Sequence, residues 1–218
     1  MFVQVGESAR LRQHPGMTQA PSVVFLPGAG GSAQFWEPVA SRLPASWDRA
    51  LLGWPGAGDE PQDPRIESFD DLIELASARI RDRSDVVAQS MGGVVAVGLA
   101  LRYPEKVRRL VLVATSGGID VDLLGAGDWR ADYRAEFPNA AAWVTEPTVD
   151  YTARLADVSA PTLLLWGDED PISPLAVARR LAELLPNTAM AVIRGGTHAV
   201  AVEQPNAVAE AVIAHVAQ

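Results

Sequence analysis

Asp85-Val-Val-Ala-Gln-Ser90-Met-Gly-Gly-Val94 is the stretch from which the fold can be read. Residues 85–89 read as a strand, and 91–102 carry the pattern of a helix closed by Pro104. Ser90 stands on the sharp turn between them. A nucleophile on such a turn needs a strained backbone, so the residues two away on either side must be small. Ala88 and Gly92 meet that demand. The helix that follows would aim its free N–H groups and positive dipole end at the serine, where an oxyanion would form.

Outward from this stretch, strand-like and helix-like segments alternate. Residues 22–26 (SVVFL) read as a buried strand, followed by a glycine-rich loop over 27–32 and an expected helix over 34–43. Residues 49–53 are a second strand that runs into the turn-rich stretch 54–64. Ser68 with Asp71 three residues on marks a helix start, and Phe69, Leu72, Ile73, Ala76 and Ile80 continue it at helical spacing. Further strands are expected at 107–114, 162–166 and 189–193, with helices over 175–185 and around Val208, Val212, Ile213 and Val216. Residues 2–5 and 9–13 are candidates for two short opening strands. Such alternation predicts an α/β fold with a mostly parallel central sheet flanked by helices. Residues 117–159 break it. They hold Trp129, Tyr133, Phe137, Trp143 and Tyr151 but no clear strand, and are too long for a plain connection. The expectation is a small helical insertion, a lid over 117–159, on a core domain of 1–116 and 160–218. Trp129, Tyr133, Phe137 and Trp143 are expected to line an acyl or aromatic pocket beneath it.

Composition narrows the function classes. The 218 residues suit one domain with an insertion at about 150 residues per domain. Apolar residues at 48% and charged ones at 21% are enough for a buried core. Lys+Arg 18 against Asp+Glu 27 gives a net charge of -9, which repels phosphate backbones, so nucleic acid is not an expected partner. Cysteine is absent, which removes disulfides, Cys-ligated metal and a thiol nucleophile. Three histidines, His14, His198 and His215, are too few for a His-rich metal site. No basic-then-apolar leader opens the sequence, and no apolar run reaches the roughly 18 residues of a membrane span. These features predict a cytoplasmic protein acting on a small molecule. Oligomeric state is not written in them.

A serine hydroxyl is a weak nucleophile and needs a base, usually histidine oriented by a carboxylate. Gly167-Asp-Glu-Asp170 follows the strand at 162–166, and Gly195-Gly-Thr-His198 follows the strand at 189–193. In a parallel sheet both loops leave by the same edge as Ser90, where α/β proteins place their sites. His14 in a His-Pro-Gly turn and His215 at the end of a terminal helix are both expected at the surface. Asp168 rivals Asp170 as the carboxylate, with Asp120 a distant third.

These segments together resemble the α/β-hydrolase family over nearly the whole chain, in its order Ser…Asp…His. AQSMGG (88–93) resembles the nucleophile elbow, usually G-x-S-x-G, and WGDEDPISP (166–174) the acid loop. GGTHAVAVEQP (195–205) resembles the histidine loop, and PGAGGS (27–32) the oxyanion loop. The resemblance implies Ser90 as nucleophile, His198 as general base, and Asp170 as the orienting acid, three residues after Gly167. It implies the backbone N–H groups of Ala29 and Met91 as oxyanion donors, with Gly28 beside the substrate, and it requires no cofactor or metal. The sequence departs from the pattern at Pro27, where many members have His, and at Ala88, which replaces the first elbow glycine. The turn 53–58 also lacks a starting Asp. The chain is short for the family, so either the opening strands or the lid must be abbreviated. The implied function is a serine hydrolase cleaving a small, fairly apolar carboxylic ester or thioester through an acyl-enzyme on Ser90. The alternatives are a carbon–carbon bond hydrolase or lyase using the same three residues, and a non-catalytic small-molecule-binding protein of this fold.

Overall fold

A computed structural model describes residues 20–146 and 149–218. The strands expected at 2–5 and 9–13, and His14, lie outside the described residues. The apolar runs form six strands: β1 (Ser22–Leu26), β2 (Asp48–Leu51), β3 (Ser84–Gln89), β4 (Val107–Val113), β5 (Thr162–Gly167) and β6 (Thr188–Ile193). They make one sheet in the order β2-β1-β3-β4-β5-β6, every neighbouring pair parallel. One row of the register runs Phe25–Val87–Val111–Leu163 across four strands.

Strand side chains alternate between faces, so each strand feeds two cores. Val23, Phe25, Val87, Val111 and Leu165 face one side, against α1 (Glu37–Ala40), α6 (Val200–Glu203) and α7 (Pro205–Val216). Val24, Leu26, Val86, Leu112 and Leu164 face the other, against α2 (Phe69–Arg79), α3 (Met91–Arg102) and α5 (Leu175–Leu184). Coverage of both faces explains why the strands read as continuous apolar runs rather than alternating ones. The helix α3 lies deepest. Val95, Ala96, Val97 and Leu99 are each wholly buried, so it shows no polar face. Ser68 caps α2, its hydroxyl accepting from the Asp71 N–H.

The expected helix over 34–43 is shorter and divided. A 3-10 turn at Ala33–Trp36 precedes α1, because Pro38 lacks an N–H and belongs in a first helical turn. Between β4 and β5 the described chain folds into 3-10 turns and one helix, α4 (Arg130–Glu136), with no strand. His215 is not a surface residue. It is buried at 6% exposure under the sheet's amino-terminal edge, with Nε2 donating to the Pro161 carbonyl. The apolar face of α7 carries it inward, and burial holds its imidazole below the usual histidine range. Nearby, the Asp85 carboxyl is also buried and accepts from the Arg108 guanidinium.

The connections create one special place. From β1 the chain moves outward to β2, then returns past β1 to β3. The loops leaving β1 and β3 therefore diverge, and a crevice opens between them at the carboxyl edge of the sheet.

Candidate active site

Ser90 sits at that crevice, immediately after β3. Its backbone has φ 52 and ψ -121, a left-handed conformation that a side-chain-bearing residue adopts only under constraint. The constraint is close packing between strand and helix. The Ser90 N–H donates to Val113 O at 3.0 Å, and its carbonyl accepts from the Thr115 hydroxyl. A Cβ on Gly92 would stand 2.3 Å from Pro27 O and 2.6 Å from Leu26 O, so only glycine lets α3 pass this near to β1.

The three loops at the carboxyl edge bring their polar groups together. His198 Nε2 lies 3.0 Å from Ser90 Oγ, and His198 Nδ1 lies 2.9 Å from Asp170 Oδ2. The Asp170 side chain is wholly buried, whereas the His198 ring keeps 21% exposure. Asp170 Oδ1 accepts from the N–H groups of Ile172 and Ser173, which fixes the carboxylate plane. Asp168 does not reach the imidazole. Its Oδ1 accepts from the Gly195 N–H at 2.6 Å, clipping the acid loop to the histidine loop. Asp120 hydrogen-bonds the Asp122 N–H in its own exposed turn.

The N–H groups of Ala29 and Met91 have no hydrogen-bond partner among the described residues. Two cavities meet at Ser90 and His198. The smaller, about 330 Å³, is walled by Met91, Val94, Ile119, Val144 and Val177. The larger, about 970 Å³, runs along Gly28, Ala29 and Phe35 to Trp129 and Tyr133. Gly127, Asp128, Trp129 and Ile172 border both.

The aromatic expectation divides here. Trp129 and Tyr133 line the larger cavity, whereas Phe137 and Trp143 line neither. Phe137 is drawn away by packing on the Tyr133 ring, with centroids 5.0 Å apart. Trp143 is buried edge-on against Phe69 of α2, with centroids 6.2 Å apart. Both serve to attach the 117–159 segment rather than to line the pocket.

Two supporting residues escape a search for nucleophile, base and acid. The Gln89 side chain is buried and donates to His198 O at 3.2 Å. Glu203 of α6 accepts from the Thr197 hydroxyl at 2.8 Å, anchoring the histidine loop. A signal existed for Gln89, because an amide at the end of a buried strand needs a partner.

A profile of the alpha/beta hydrolase family matches residues 23–211. A protein named as carbamate hydrolase RutD, from Agrobacterium fabrum, is 25% identical over 86% of this chain and 90% of its own. A pimeloyl-[acyl-carrier protein] methyl ester esterase from Aromatoleum aromaticum is 30% identical over 78% of this chain and 88% of its own. Among solved structures, a meta-cleavage product hydrolase from Pseudomonas fluorescens superposes with a TM-score of 0.73 at 20% identity, covering 90% of each chain.

Proposed function

Because the chain belongs to the alpha/beta hydrolase family, and its relatives are hydrolases and esterases, we propose that it is a serine hydrolase of a small, fairly apolar carboxylic ester. The observation that carries this reading is the pair of contacts from His198, at 3.0 Å to Ser90 Oγ and 2.9 Å to Asp170 Oδ2.

Ser90 Oγ attacks the substrate carbonyl while His198 Nε2 takes its proton. Nδ1–H of the imidazole donates to Asp170, which keeps the productive tautomer and stabilises the ring once it is charged. The oxyanion falls to the N–H groups of Met91 and Ala29, both without other partners among the described residues. His198 returns the proton to the leaving alkoxide, and a water attacks the acyl-enzyme with His198 again as base. Residues 117–159 act as the lid. The smaller cavity, where Met91, Val94, Ile119, Val144 and Val177 stand beside the polar Asp122, Arg130 and Glu146, takes the acyl group, and the larger takes the leaving group. A water-shielded site strengthens the contact between the amides and the developing charge.

The test is a panel of neutral p-nitrophenyl esters of graded acyl length, assayed with the wild type and with Ser90→Ala. Release of nitrophenol that disappears in Ser90→Ala is expected, with rates falling once the acyl chain outgrows the smaller cavity. Equal silence from both proteins would overturn ester hydrolysis in favour of carbon–carbon bond cleavage, elimination or simple binding.

A further inference from the structure

The loop after β1 is pinned through its carbonyls. Trp36 Nε1 donates to Leu26 O at 2.9 Å and Trp54 Nε1 to Pro27 O at 2.7 Å. The Gly31 N–H closes on Gly28 O at 3.1 Å. The last pin comes from α4, whose Tyr133 hydroxyl donates to Ala29 O at 2.9 Å. A peptide plane carries its C=O and the next N–H in opposite directions. The bond to Gly28 O sets the plane that carries the Ala29 N–H, and the bond from Tyr133 to Ala29 O sets the next plane, so Ala29 is held on both sides and cannot rotate its N–H away.

The Tyr133 hydroxyl has no freedom to do otherwise. It accepts from the Gly58 N–H at 2.7 Å, so its own proton is left for Ala29 O. The loops it joins are in contact, since a Cβ on Gly58 (φ +56) would stand 2.2 Å from Gly30 O. Tyr133 is buried at 8% exposure, and its ring is braced by Trp129 and Phe137. Both bonding directions of the hydroxyl are spent on backbone, so only the ring is offered to a substrate.

We propose that Tyr133 is a positioning residue, which ties the 117–159 segment to the loop after β1 and, by fixing the peptide plane that follows Ala29, keeps the Ala29 amide from turning away from the oxyanion. The proposal rests on the serine hydrolase reading above. Its signature follows from where the charge develops. An amide aimed at the tetrahedral oxygen stabilises the transition state and leaves substrate binding nearly alone, so loss of aim lowers kcat at constant KM.

The experiment compares wild type with Tyr133→Phe on one neutral p-nitrophenyl ester, with active sites counted by a fluorophosphonate so that misfolded protein drops out. The expected result is kcat per site lowered about tenfold, with KM within about twofold. Affinity for an alkyl boronic acid, whose serine adduct places an oxygen at the same amides, should weaken by the same factor. An unchanged kcat, or a fall in kcat/KM carried by KM with boronate affinity intact, would overturn the proposal. Should Tyr133→Phe yield no folded protein, Phe137→Leu loosens the same ring from outside both cavities. A KM-independent fall of about threefold is expected there, and none would be contrary. Absence of both turnover and fluorophosphonate labelling in the wild type would overturn the hydrolase reading and this inference with it. A normal wild type beside an equally fast Tyr133→Phe would overturn the inference alone.

Discussion

At the scale of single residues, Asp168 and Asp170 show how two carboxylates two positions apart acquire different work. Asp170 has one oxygen on His198 Nδ1 and the other on two backbone N–H groups. In Asp170→Asn the backbone donors would keep the amide oxygen and turn its NH2 toward Nδ1. The imidazole would then carry its proton on Nε2 and could not accept one from Ser90. Turnover should fall by about 10³–10⁴-fold, read as kcat on a p-nitrophenyl ester. Asp168→Asn retains an oxygen for the Gly195 N–H and should stay within a few-fold of wild type; the opposite ranking would reassign the acid. Ser90, Asp170 and His198 were legible from their motifs as candidates, and the structure brings them within hydrogen-bond distance of one another. The separation of Asp170 from Asp168 followed from a family spacing, and the hydrogen bonds now supply its physical reason.

At the scale of elements, α3 and α7 carry opposite kinds of information. The glycines of α3 announce a close approach without naming what approaches; the neighbours of Gly92 turn out to be the carbonyls of Leu26 and Pro27. In the sequence, the histidine of α7 suits the surface, because its position in the last turn favours a cation beside the dipole. Helical phase puts it on the buried face instead, where burial, with Arg109 and Arg108 beyond it, lowers its pKa. The consequence has a definite sign. As pH falls below the ordinary value of 6.5, the unfolded chain binds a proton at His215 before the folded chain does. Stability therefore declines through that window, down to the depressed folded pKa. His215→Gln keeps a donor for Pro161 O and removes the titration. Its urea midpoint should change less than that of wild type between pH 7 and about 5. Parallel curves for the two proteins would refute a buried neutral imidazole.

At the scale of the whole molecule, charge bears on which substrates approach. The larger cavity is bordered by Asp128, Asp132, Glu136 and Glu169, and by no Lys or Arg among the described residues, on a chain of net charge -9. Such a mouth slows the approach of anions until salt screens it, over a distance of about 10 Å at 0.1 M. A phosphate-bearing ester should gain about two- to fivefold in kcat/KM between about 0.02 and 0.2 M salt, while a neutral ester should hardly change. Equal salt profiles would show that the rim carries no selectivity. Sequence by itself determined the alternation of strands and helices, because period and apolar content record which faces are buried. It also determined the order of the three catalytic candidates, because a strained serine turn and two loops at strand ends have recognisable local chemistry. Only the tertiary structure decided what the aromatics of 117–159 do. Trp129, Tyr133, Phe137 and Trp143 look alike as apolar bulk in the chain. Their roles are set by neighbours far away in sequence: Phe69 beneath Trp143, and the carbonyl of Ala29 at the hydroxyl of Tyr133. A hydrogen bond across 104 residues is a property of packed surfaces, and no local pattern encodes it.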